Sequence, residues 1–574
     1  MNFSVCIIGK NEEKTLPRML ESLKPFKDLG GEIIYVDTGS TDKTVKVAEK
    51  MCKVYEEGDK FVTTIDKKLA KDINKFFGAD VVKEGEKLFD YSSARNYAAG
   101  LAENDMVAMP DCDEVYTSLN LDHVNKVIKD GCEQLEYNFV FSHDEYGREA
   151  VKFRHCKFYN RKKLKWVGMV HEVLSGEAKK EYLGEEYIKL EHYQNHDTDR
   201  SRYLTGLALD CYLNQKNDRN SHYLGRELLW RGFTEAAIKE LKRHLEISWW
   251  GAEKSQSMIY IGQAYEKLEK PEKSVEWWNK SIVQDCSRRE PFMVLADYYF
   301  KQNDPQRVAC YAGAALQILD NGFYANNMAY YRETPHELMY WALWELDSKA
   351  ESKHHHAMAM FYAPLKAKYL HDARFYYDLP MVSVVLPTLE RPKGLKAALK
   401  SIDELIYPED KIETIVLEDK PRKGVPLRVA EGLKKAKGDI VCYAANDIEF
   451  DKGAMILAVL EMIRSGKRLV TFNTGEFTDD GNICEHFIID KGLVKEIGGE
   501  IFDTDFYHVG VDKLLWEKCK RIDQATLCKN AIVKHNHFSR IGSGIKKDKV
   551  NELGWKNVEK DRKLLAKKLN NLNK

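Results

Sequence analysis

The sequence lacks the features that would place it in a membrane or outside the cell. No apolar run approaches the roughly 20 residues that a membrane-spanning helix requires. The opening segment MNFSVCIIGKNEE has a short apolar run broken by Lys10 and two acids, which favours a buried strand over a secretion signal. The twelve cysteines are scattered without close pairs, which argues against a disulfide framework or a zinc ribbon. We therefore expect a cytoplasmic protein.

An excess of charge of one sign is also missing. The chain has 89 Lys plus Arg against 90 Asp plus Glu, a formal net charge of -1, so no overall field draws it to nucleic acid or anionic lipid. A hydrophobic content of 44% with 11% aromatic residues supports packed domains. At 574 residues the chain is too long for one core, and the usual domain size suggests roughly three or four domains.

The chain changes character twice along its length. Residues 1–198 alternate short strand-like runs rich in β-branched residues with amphipathic helical stretches, and residues 380–574 return to this pattern. Such alternation predicts a parallel sheet covered by helices, in which ligands bind at the carboxyl ends of the strands. Residues 199–350 are helical in pattern, and residues 351–379 are predicted to be a linker.

The helical segment carries a repeat. Tyr265 and Pro271 recur as Tyr299 and Pro305, each 34 positions later by subtraction. This is the period of a tetratricopeptide helix pair, although an irregular helical bundle is the alternative. Stacks of such pairs form concave surfaces that suit extended peptides.

Polar residues that can carry chemistry follow the predicted strands of the first segment. Asp111 and Asp113 come directly after the apolar run 106–109, and two such carboxylates can converge on a divalent cation that neutralises a diphosphate. A solvated turn is the alternative for an isolated triplet of this kind. Asp37 ends another strand and can accept hydrogen bonds from a ribose or a uracil edge. Arg95 opens a helix and can reach a phosphate, or serve in a capped, salt-bridged helix.

These motifs together resemble a family 2 glycosyltransferase of the GT-A fold. The resemblance spans nearly all of residues 1–198 and keeps the order of five motifs, at residues 8–13, 37–44, 93–96, 111–114 and 166–172. It is closest to the branch in which such a domain precedes tetratricopeptide repeats, a branch that includes peptide S-glycosyltransferases. The implied fold class is α/β with an all-α middle, in which two GT-A domains flank a tetratricopeptide-like segment.

The resemblance implies roles in donor binding. Asp37 would contact the nucleoside, Asp111 the ribose or the metal, and Asp113 the metal that bridges the two phosphates of the donor. The implied cofactor is Mn²⁺ or Mg²⁺, and the implied donor is a nucleotide-sugar, a UDP-sugar before others.

The resemblance also implies a further metal ligand and a base. His171 or His192 would complete the metal site, since imidazole is an acceptable ligand, although either can be a hydrogen-bonded structural histidine. Glu172 would deprotonate the acceptor, because an inverting displacement needs a carboxylate opposite the leaving diphosphate.

Residues 380–574 resemble the same family but have different residues at several motif positions. Glu418 and Asp419 end the second strand at the donor-binding positions, and Asp447 occupies the place of the metal-binding turn. Two departures weaken donor binding here: Asn446 stands where the first segment has Asp111, and the Gly-Ser-x-Asp run is missing.

The second segment also contains a candidate base and a late histidine. Asp512 precedes a Leu-rich helix, as the base of the family does, although it can be a simple N-cap. His535 or His537 resembles the late metal ligand of the family.

The sequence thus predicts a metal-dependent, inverting hexosyltransferase that moves a sugar from a nucleotide-diphosphate-sugar to a peptide, protein or glycan. Two active domains would imply two successive transfers. The alternatives are sugar transfer to hydroxylated bases in DNA, and a repeat scaffold whose second transferase domain is inactive. Fold alone does not separate these, whereas retention of Asp111 and Asp113 favours the enzyme. The oligomeric state has no signal in the sequence.

Overall fold

The protein consists of two compact units, each built on a large β-sheet. The computed structural model describes residues 1–145, 147–193, 201–475, 484–536 and 557–572. The two units are Met1–Ser352 and Lys353–Lys574. Within the described ranges, no helix combines the length and the apolar character needed to cross a membrane.

The first unit opens with a mixed sheet. Its order is β3-β2-β1-β6-β9-β8-β13-β7, with β12 beside β8. The strands of this unit are β1 (Phe3–Gly9), β2 (Glu32–Asp37), β3 (Lys53–Glu56), β4 (Val62–Thr64), β5 (Lys87–Phe89), β6 (Met106–Ala108), β7 (Glu114–Leu119), β8 (Gln134–His143), β9 (Glu149–Asn160), β10 (Leu164–Val167), β11 (Val173–Gly176), β12 (Lys180–Leu183) and β13 (Ile188–His192). Because β1 pairs in parallel with β2 and β6, the carboxyl ends of these three strands meet at one edge.

The prediction of a parallel sheet is correct for part of this sheet, in which β12 and β13 are also parallel to β8. Strands β3, β2, β1 and β6 are parallel, whereas β9 runs antiparallel to both β6 and β8. The reason is local: the connection between β8 and β9 is far too short for the crossover that parallel neighbours require.

Helices cover this sheet and close its core. They are α1 (Leu16–Ser22), α2 (Lys24–Asp28), α3 (Thr44–Ala48), α4 (Lys67–Phe77), α5 (Tyr91–Gly100) and α6 (Leu121–Lys129). Phe3 of β1 stacks on Phe26 of α2 with ring centroids 4.6 Å apart, and its edge meets Phe158 of β9 at 4.9 Å. Burying each such ring stabilises the fold by about 1.5–3 kcal/mol.

A run of helices completes the first unit. They are α7 (Ser201–Leu213), α8 (Asp218–Trp230), α9 (Thr234–Ile247), α10 (Gly251–Lys267), α11 (Pro271–Gln284), α12 (Glu290–Lys301), α13 (Pro305–Leu316), the 3-10 helix Met328–Tyr331 and α14 (Glu333–Glu345). The prolines of the predicted repeat begin α11 and α13. Gly262 of α10 faces Trp278 of α11, and Gly225 of α8 faces Leu241 of α9, with no room for a Cβ at either glycine. The 34-residue spacing therefore falls on successive helix pairs.

The second unit repeats the sheet topology of the first. Its strands are β14 (Val382–Thr388), β15 (Ile412–Glu418), β16 (Ile440–Tyr443), β17 (Ile448–Phe450), β18 (Leu469–Asn473), β19 (Phe487–Asp490) and β20 (Ala525–His535). The order is β15-β14-β16-β19-β18-β20-β17. Strand β14 is parallel to β15 and β16, β19 is antiparallel to β16 and β18, and β20 is parallel to β18 and antiparallel to β17. The first sheet has the same relations among β2, β1, β6, β9, β8, β13 and β7.

Helices occupy the segment predicted as a linker and continue through the second unit. They are α15 (Lys349–Tyr362), which starts at the boundary, α16 (Ala367–Tyr376), α17 (Pro392–Asp403), the 3-10 helix Glu409–Lys411, α18 (Val425–Lys435), α19 (Ala454–Ser465), α20 (Lys491–Glu496), α21 (Val511–Arg521) and α22 (Val558–Leu572). Residues 351–379 thus contain most of α15 and all of α16. The last of these helices, α22, is rich in charged residues, and its Leu564 and Leu565 pack on the core that includes α21.

Candidate active site

A cavity of about 540 Å³ opens at the shared edge of β1, β2 and β6. Its wall includes Thr38 after β2, Arg95 on α5, Asp111 and Asp113 after β6, and Tyr203 on α7. The carboxyl ends of parallel strands in an α/β sheet form such crevices because the loops that follow them diverge. The cavity therefore gathers residues that are far apart in the sequence.

Asp37 ends β2 at this edge and closes its own turn. Its Oδ2 accepts the backbone N–H groups of Gly39 and Ser40 at 3.0 and 2.9 Å. Gly39 has φ +96°, a conformation that a residue with a side chain adopts only under strain. Oδ1 of Asp37 is buried and has no hydrogen-bond partner in the described part of the chain. Because such an orphan acceptor is costly, Oδ1 is suited to a donor group on a ligand.

Asp111 is clamped between two buried cations. Its Oδ1 lies 2.6 Å from Nη2 of Arg95, and its Oδ2 lies 2.7 Å from Nζ of Lys157. Lys157 also donates to Oε1 of Glu114 at 2.6 Å, and Nε of Arg95 donates to Oε1 of Glu172 at 2.6 Å. These five side chains form one chain of alternating charge, which we call the clamp: Glu114, Lys157, Asp111, Arg95 and Glu172. Breaking one buried link in such a chain costs about 3–5 kcal/mol.

The clamp fixes the ionisation of its members. Burial raises the pKa of Asp111, but the charges of Arg95 and Lys157 lower it by more, so its pKa lies well below the usual range. Asp111 is therefore anionic throughout the physiological pH range. Nη1 of Arg95 is buried and has no hydrogen-bond partner among the residues described. Arg95 as a whole lines the cavity.

Asp113 pairs with one of the two candidate histidines. Nε2 of His192 lies 3.0 Å from Oδ2 of Asp113, and Nδ1 of His192 lies 3.0 Å from the carbonyl oxygen of Phe141. Burial lowers the pKa of His192, but the hydrogen bond to Asp113, the charges of Asp113 and Glu114 and the hydrogen bond to Phe141 together raise it by more. A histidine whose Nδ1–H donates to a backbone carbonyl presents Nε2 as an oriented ligand.

His171 makes different contacts. Its ring stacks on Tyr223 of α8 with centroids 3.9 Å apart and meets the edge of Tyr203 at 5.0 Å. Burial holds the pKa of His171 well below its usual value, and the charges of Arg226 and Arg219 lower it further. His171 is thus a neutral side chain set against the helices, while the adjacent Glu172 faces Arg95.

Lys157 was missed by the sequence analysis. It lies on β9, which pairs antiparallel with β6, and it reaches Asp111 from across the sheet. No motif surrounds it, and the antiparallel position of β9 was not predicted. The only signal in the sequence is indirect: three carboxylates lie close together within residues 111–114, and such a cluster favours a nearby cation.

The second sheet brings two of its predicted metal ligands together. Oδ2 of Asp447 lies 2.6 Å from Nη1 of Arg391, and Oδ1 lies 3.6 Å from Nε2 of His535. Nδ1 of His535 is 3.6 Å from Oε2 of Glu485. His537, the alternative ligand, lies outside the described residues.

Asp512 lies in the first turn of α21. Burial raises its pKa to about 6, the Lys513 backbone N–H opposes this shift, and the charge of Glu485 adds to it. A carboxylate with a pKa near neutrality is matched to proton transfer.

The predicted donor-binding residues of the second sheet have other partners. Asp419 accepts the backbone N–H groups of Lys423 and Gly424 at 2.8 and 3.1 Å, so it closes its own loop. Glu418 is exposed and lies 2.7 Å from Nζ of Lys420.

No group of three or more His, Cys, Asp and Glu side chains is arranged around a metal position in the described ranges. Paired candidates are present in both sheets: Asp113 with His192, and Asp447 with His535. A metal held by either pair would need its remaining ligands from a substrate or from water.

One family model matches part of the first unit. Residues 4–172 match the model of glycosyl transferase family 2. No curated protein matches the chain. The chain is similar to the mannosyltransferase PcManGT from Pyrobaculum calidifontis, solved in complex with GDP-Man and Mn²⁺, with 19% identity over 32% of this chain and 67% of that one, at a TM-score of 0.24.

Two helical structures are similar to about as much of the chain. A MamA protein is 14% identical over 29% of this chain and 84% of that one, at a TM-score of 0.23. YrrB, a TPR protein with an unusual peptide-binding site, is 14% identical over 30% and 83%, at a TM-score of 0.25. Because scores of this size establish no common fold, these three structures carry no argument about the chain. The family match over residues 4–172 supports a glycosyl transferase family 2 domain in that part of the chain.

Proposed function

We propose that the first unit transfers a sugar from a nucleotide-diphosphate-sugar to an acceptor held by its helical segment. The observation that carries the proposal is that Asp111, Asp113 and Arg95 line one cavity within the matched domain. Its volume of about 540 Å³ falls in the usual range for small-ligand pockets.

In this proposal two unpartnered groups bind the donor. The orphan Oδ1 of Asp37 accepts a hydrogen bond from the nucleoside, and Nη1 of Arg95 donates to a phosphate. A UDP-sugar is the proposed donor. Lys157 and Asp111 hold the guanidinium of Arg95 at a fixed angle, so that it meets the phosphate already oriented.

The donor set beside the cavity fits a divalent cation. Oδ2 of Asp113 and Nε2 of His192 are 3.0 Å apart, which is the separation of two adjacent ligands in an octahedron with bonds of about 2.1 Å. Ions such as Mg²⁺ commonly take one or two protein ligands and complete their shell with phosphates and water. When bound, Mn²⁺ or Mg²⁺ would neutralise the charge of the leaving diphosphate. Asp111 is engaged by its two cations, so we assign it to positioning rather than to the metal.

Glu172 is the proposed base. Its Oε1 accepts a hydrogen bond from Arg95, and Oε2 has no bonded partner among the described residues. In an inverting displacement Oε2 would take the proton of the attacking acceptor group. The same arginine would then touch both the base and the leaving phosphate, which fixes the distance between them.

Donor hydrolysis tests this function directly. Purified full-length protein is incubated with a panel of UDP- and GDP-sugars and with Mn²⁺, Mg²⁺ or EDTA, and released nucleotide is measured by chromatography. We expect metal-dependent release from one donor, loss of release in EDTA, and loss in Asp113→Asn. Asp122→Asn, which alters an exposed carboxylate on α6, is the matched control. If no donor is bound or cleaved in any condition, the scaffold alternative is correct.

We extend the proposal to the second unit as a second transferase. Its support is the shared strand order, the closeness of Asp447 to His535, and the raised pKa of Asp512. Once an acceptor is known, mass spectrometry of the product separates the alternatives. Two sugars with the wild type and one with Asp447→Asn support two transfers, whereas equal products from both proteins indicate an inactive second unit.

A further inference from the structure

Helix α8 carries alternating cations and aromatic rings along one face. Arg219, Tyr223, Arg226 and Trp230 follow one another at intervals of four, three and four positions, which places them on one side of a helix. The guanidinium carbon of Arg219 lies 5.2 Å from the Tyr223 ring centroid, that of Arg226 lies 4.8 Å from the same ring, and Arg226 lies 4.6 Å from the Trp230 ring. We call these four residues the α8 stripe.

The inner end of the α8 stripe contacts the segment that carries the proposed base, Glu172. Tyr223 is buried, with 6% of its surface exposed, and stacks on His171, the residue before Glu172. The Arg219 charge also acts on His155 of β9: burial lowers the pKa of His155 to about 3, and the charges of Lys157, Arg95 and Arg219 contribute to that shift. The inner end is therefore next to the proposed base.

The outer end of the stripe faces solvent. Trp230 is 59% exposed, while the Arg226 side chain is 19% exposed. Eleven positions of helix separate Arg219 from Trp230, a rise of about 16 Å. That length equals about five residues of extended peptide. The stripe thus runs from the exposed Trp230 to the buried Tyr223, which lies against His171.

Polar groups along the stripe lack partners. Nε of Arg219, Nε of Arg226 and Nε2 of His171 are buried, and no described residue forms a hydrogen bond with any of them. Glu227 is 3.7 Å from Nη2 of Arg226, beyond hydrogen-bond distance. A buried donor without a partner costs about 1–3 kcal/mol. The helix therefore supports two cations that are incompletely satisfied by the protein itself.

We propose that the α8 stripe binds an acidic stretch of an acceptor peptide, about five residues long, and leads the residue to be glycosylated toward Glu172. The proposal rests on the proposed transferase function. A peptide carboxylate matches the fork of a guanidinium, and the exposed Trp230 ring offers a flat surface to a neighbouring side chain. The concave face of a helical repeat is suited to an extended chain of this length.

Two labelled peptides test the binding step. One fluorescein-labelled peptide alternates Glu and Ser, the other alternates Lys and Ser, and anisotropy is measured with full-length protein in low salt without donor or metal. We expect the wild type to prefer the Glu peptide by about tenfold or more, and Arg219→Gln with Arg226→Gln to lose about tenfold in affinity for it. Melting temperatures show whether each variant is folded.

Arg307→Gln is the matched control. Arg307 of α13 also stacks on a ring, with its guanidinium carbon 4.8 Å from the Tyr299 centroid, but it lies 3.5 Å from Asp304 and its side chain is 61% exposed. It is expected to leave peptide binding unchanged. An equal loss in this control, or equal affinity of the wild type for both peptides, overturns the proposal. Stronger binding of a uronic-acid oligosaccharide than of the Glu peptide also overturns it.

Donor hydrolysis separates this proposal from the function on which it rests. The Arg219 and Arg226 variants are expected to hydrolyse donor as the wild type does. If they lose hydrolysis, the anion on the stripe is the donor phosphate and the acceptor assignment is wrong. If the wild type binds the Glu peptide but cleaves no donor, the transferase function fails and the peptide-binding surface stands.

Discussion

The two sheets share one topology but treat their key carboxylates differently. In the first sheet Asp111 is held by Arg95 and Lys157 at 2.6 and 2.7 Å, and the neighbouring Asp113 faces His192 at 3.0 Å. In the second sheet Asp447 alone combines these roles, with Arg391 at 2.6 Å and His535 at 3.6 Å. In the second unit a single aspartate, Asp447, thus contacts both an arginine and a histidine, whereas in the first unit these contacts are divided between Asp111 and Asp113.

The loops that follow the second strand of each sheet also differ, in how far the aspartate at the strand end is hydrogen-bonded by the protein itself. Asp37 leaves Oδ1 without a partner in the described structure, whereas both oxygens of Asp419 accept bonds within its own loop and from Arg428. Among the described residues, the loop of the first sheet therefore leaves one carboxylate oxygen without a hydrogen bond, whereas the loop of the second sheet satisfies both oxygens of its aspartate. The comparison teaches that a shared scaffold places the strand ends, while the residues at those ends decide what is bound.

The largest expected effect breaks the clamp of the first sheet. Lys157→Met leaves Asp111 and Glu114 without their shared cation, and we expect the free energy of unfolding to fall by about 3–5 kcal/mol. Urea unfolding measures this loss. Lys162→Met, which removes an exposed ion pair with Asp105, should change it by less than about 1 kcal/mol. Similar losses in both variants would show that the clamp is not a stabilising feature.

The next effect concerns the shape of a guanidinium. Arg95→Lys keeps the charge but cannot bond Asp111, Glu172 and a phosphate together, so we expect donor hydrolysis to fall by about 100-fold with the donor Kd changed less. Steady-state kinetics with separate binding measurements give both values. Arg391→Lys in the second sheet should leave the first transfer intact. Full activity of Arg95→Lys would refute the positioning role.

A pH experiment tests the raised pKa of Asp512, the candidate base of the second unit. The pKa of Asp512 is about 6, above the value of about 3.9 for an unfolded aspartate, so the folded chain retains this proton between about pH 4 and 6. Stability therefore falls as pH rises through that window. Asp512→Asn should be more stable than wild type at pH 7, by roughly 1–3 kcal/mol, with the gain vanishing near pH 4. Asp523→Asn, at an exposed carboxylate, serves as control; a pH-independent gain in Asp512→Asn would contradict the raised pKa.

The smallest expected effect concerns the nucleoside. Asp37→Asn replaces the orphan acceptor with a mixed amide, and we expect UDP affinity to fall by about tenfold. Isothermal titration calorimetry measures the affinity. Asp419→Asn should leave it unchanged, because that carboxylate is satisfied in its own loop. Equal effects of the two substitutions would remove the distinction drawn between the loops.

Local patterns in the sequence predicted that Asp111 and Asp113 lie at a strand end, but they did not predict the partners of these residues. Asp111 and Asp113 follow an apolar run, so their place at a strand end could be read directly, and the cavity lies there. The choice between His171 and His192 depends on register: β13 pairs antiparallel with β7, which sets His192 opposite Glu114. Lys157 depends on β9 lying beside β6, a long-range pairing that no local periodicity encodes.

The central claim is that the first sheet, with Asp113 and His192 at its edge, cleaves the sugar donor. Nucleotide release from the preferred UDP-sugar, measured side by side for wild type, Asp113→Asn and Asp447→Asn, tests it most directly. The account predicts that release is lost in Asp113→Asn and persists in Asp447→Asn. Release by Asp113→Asn at the wild-type rate would contradict it.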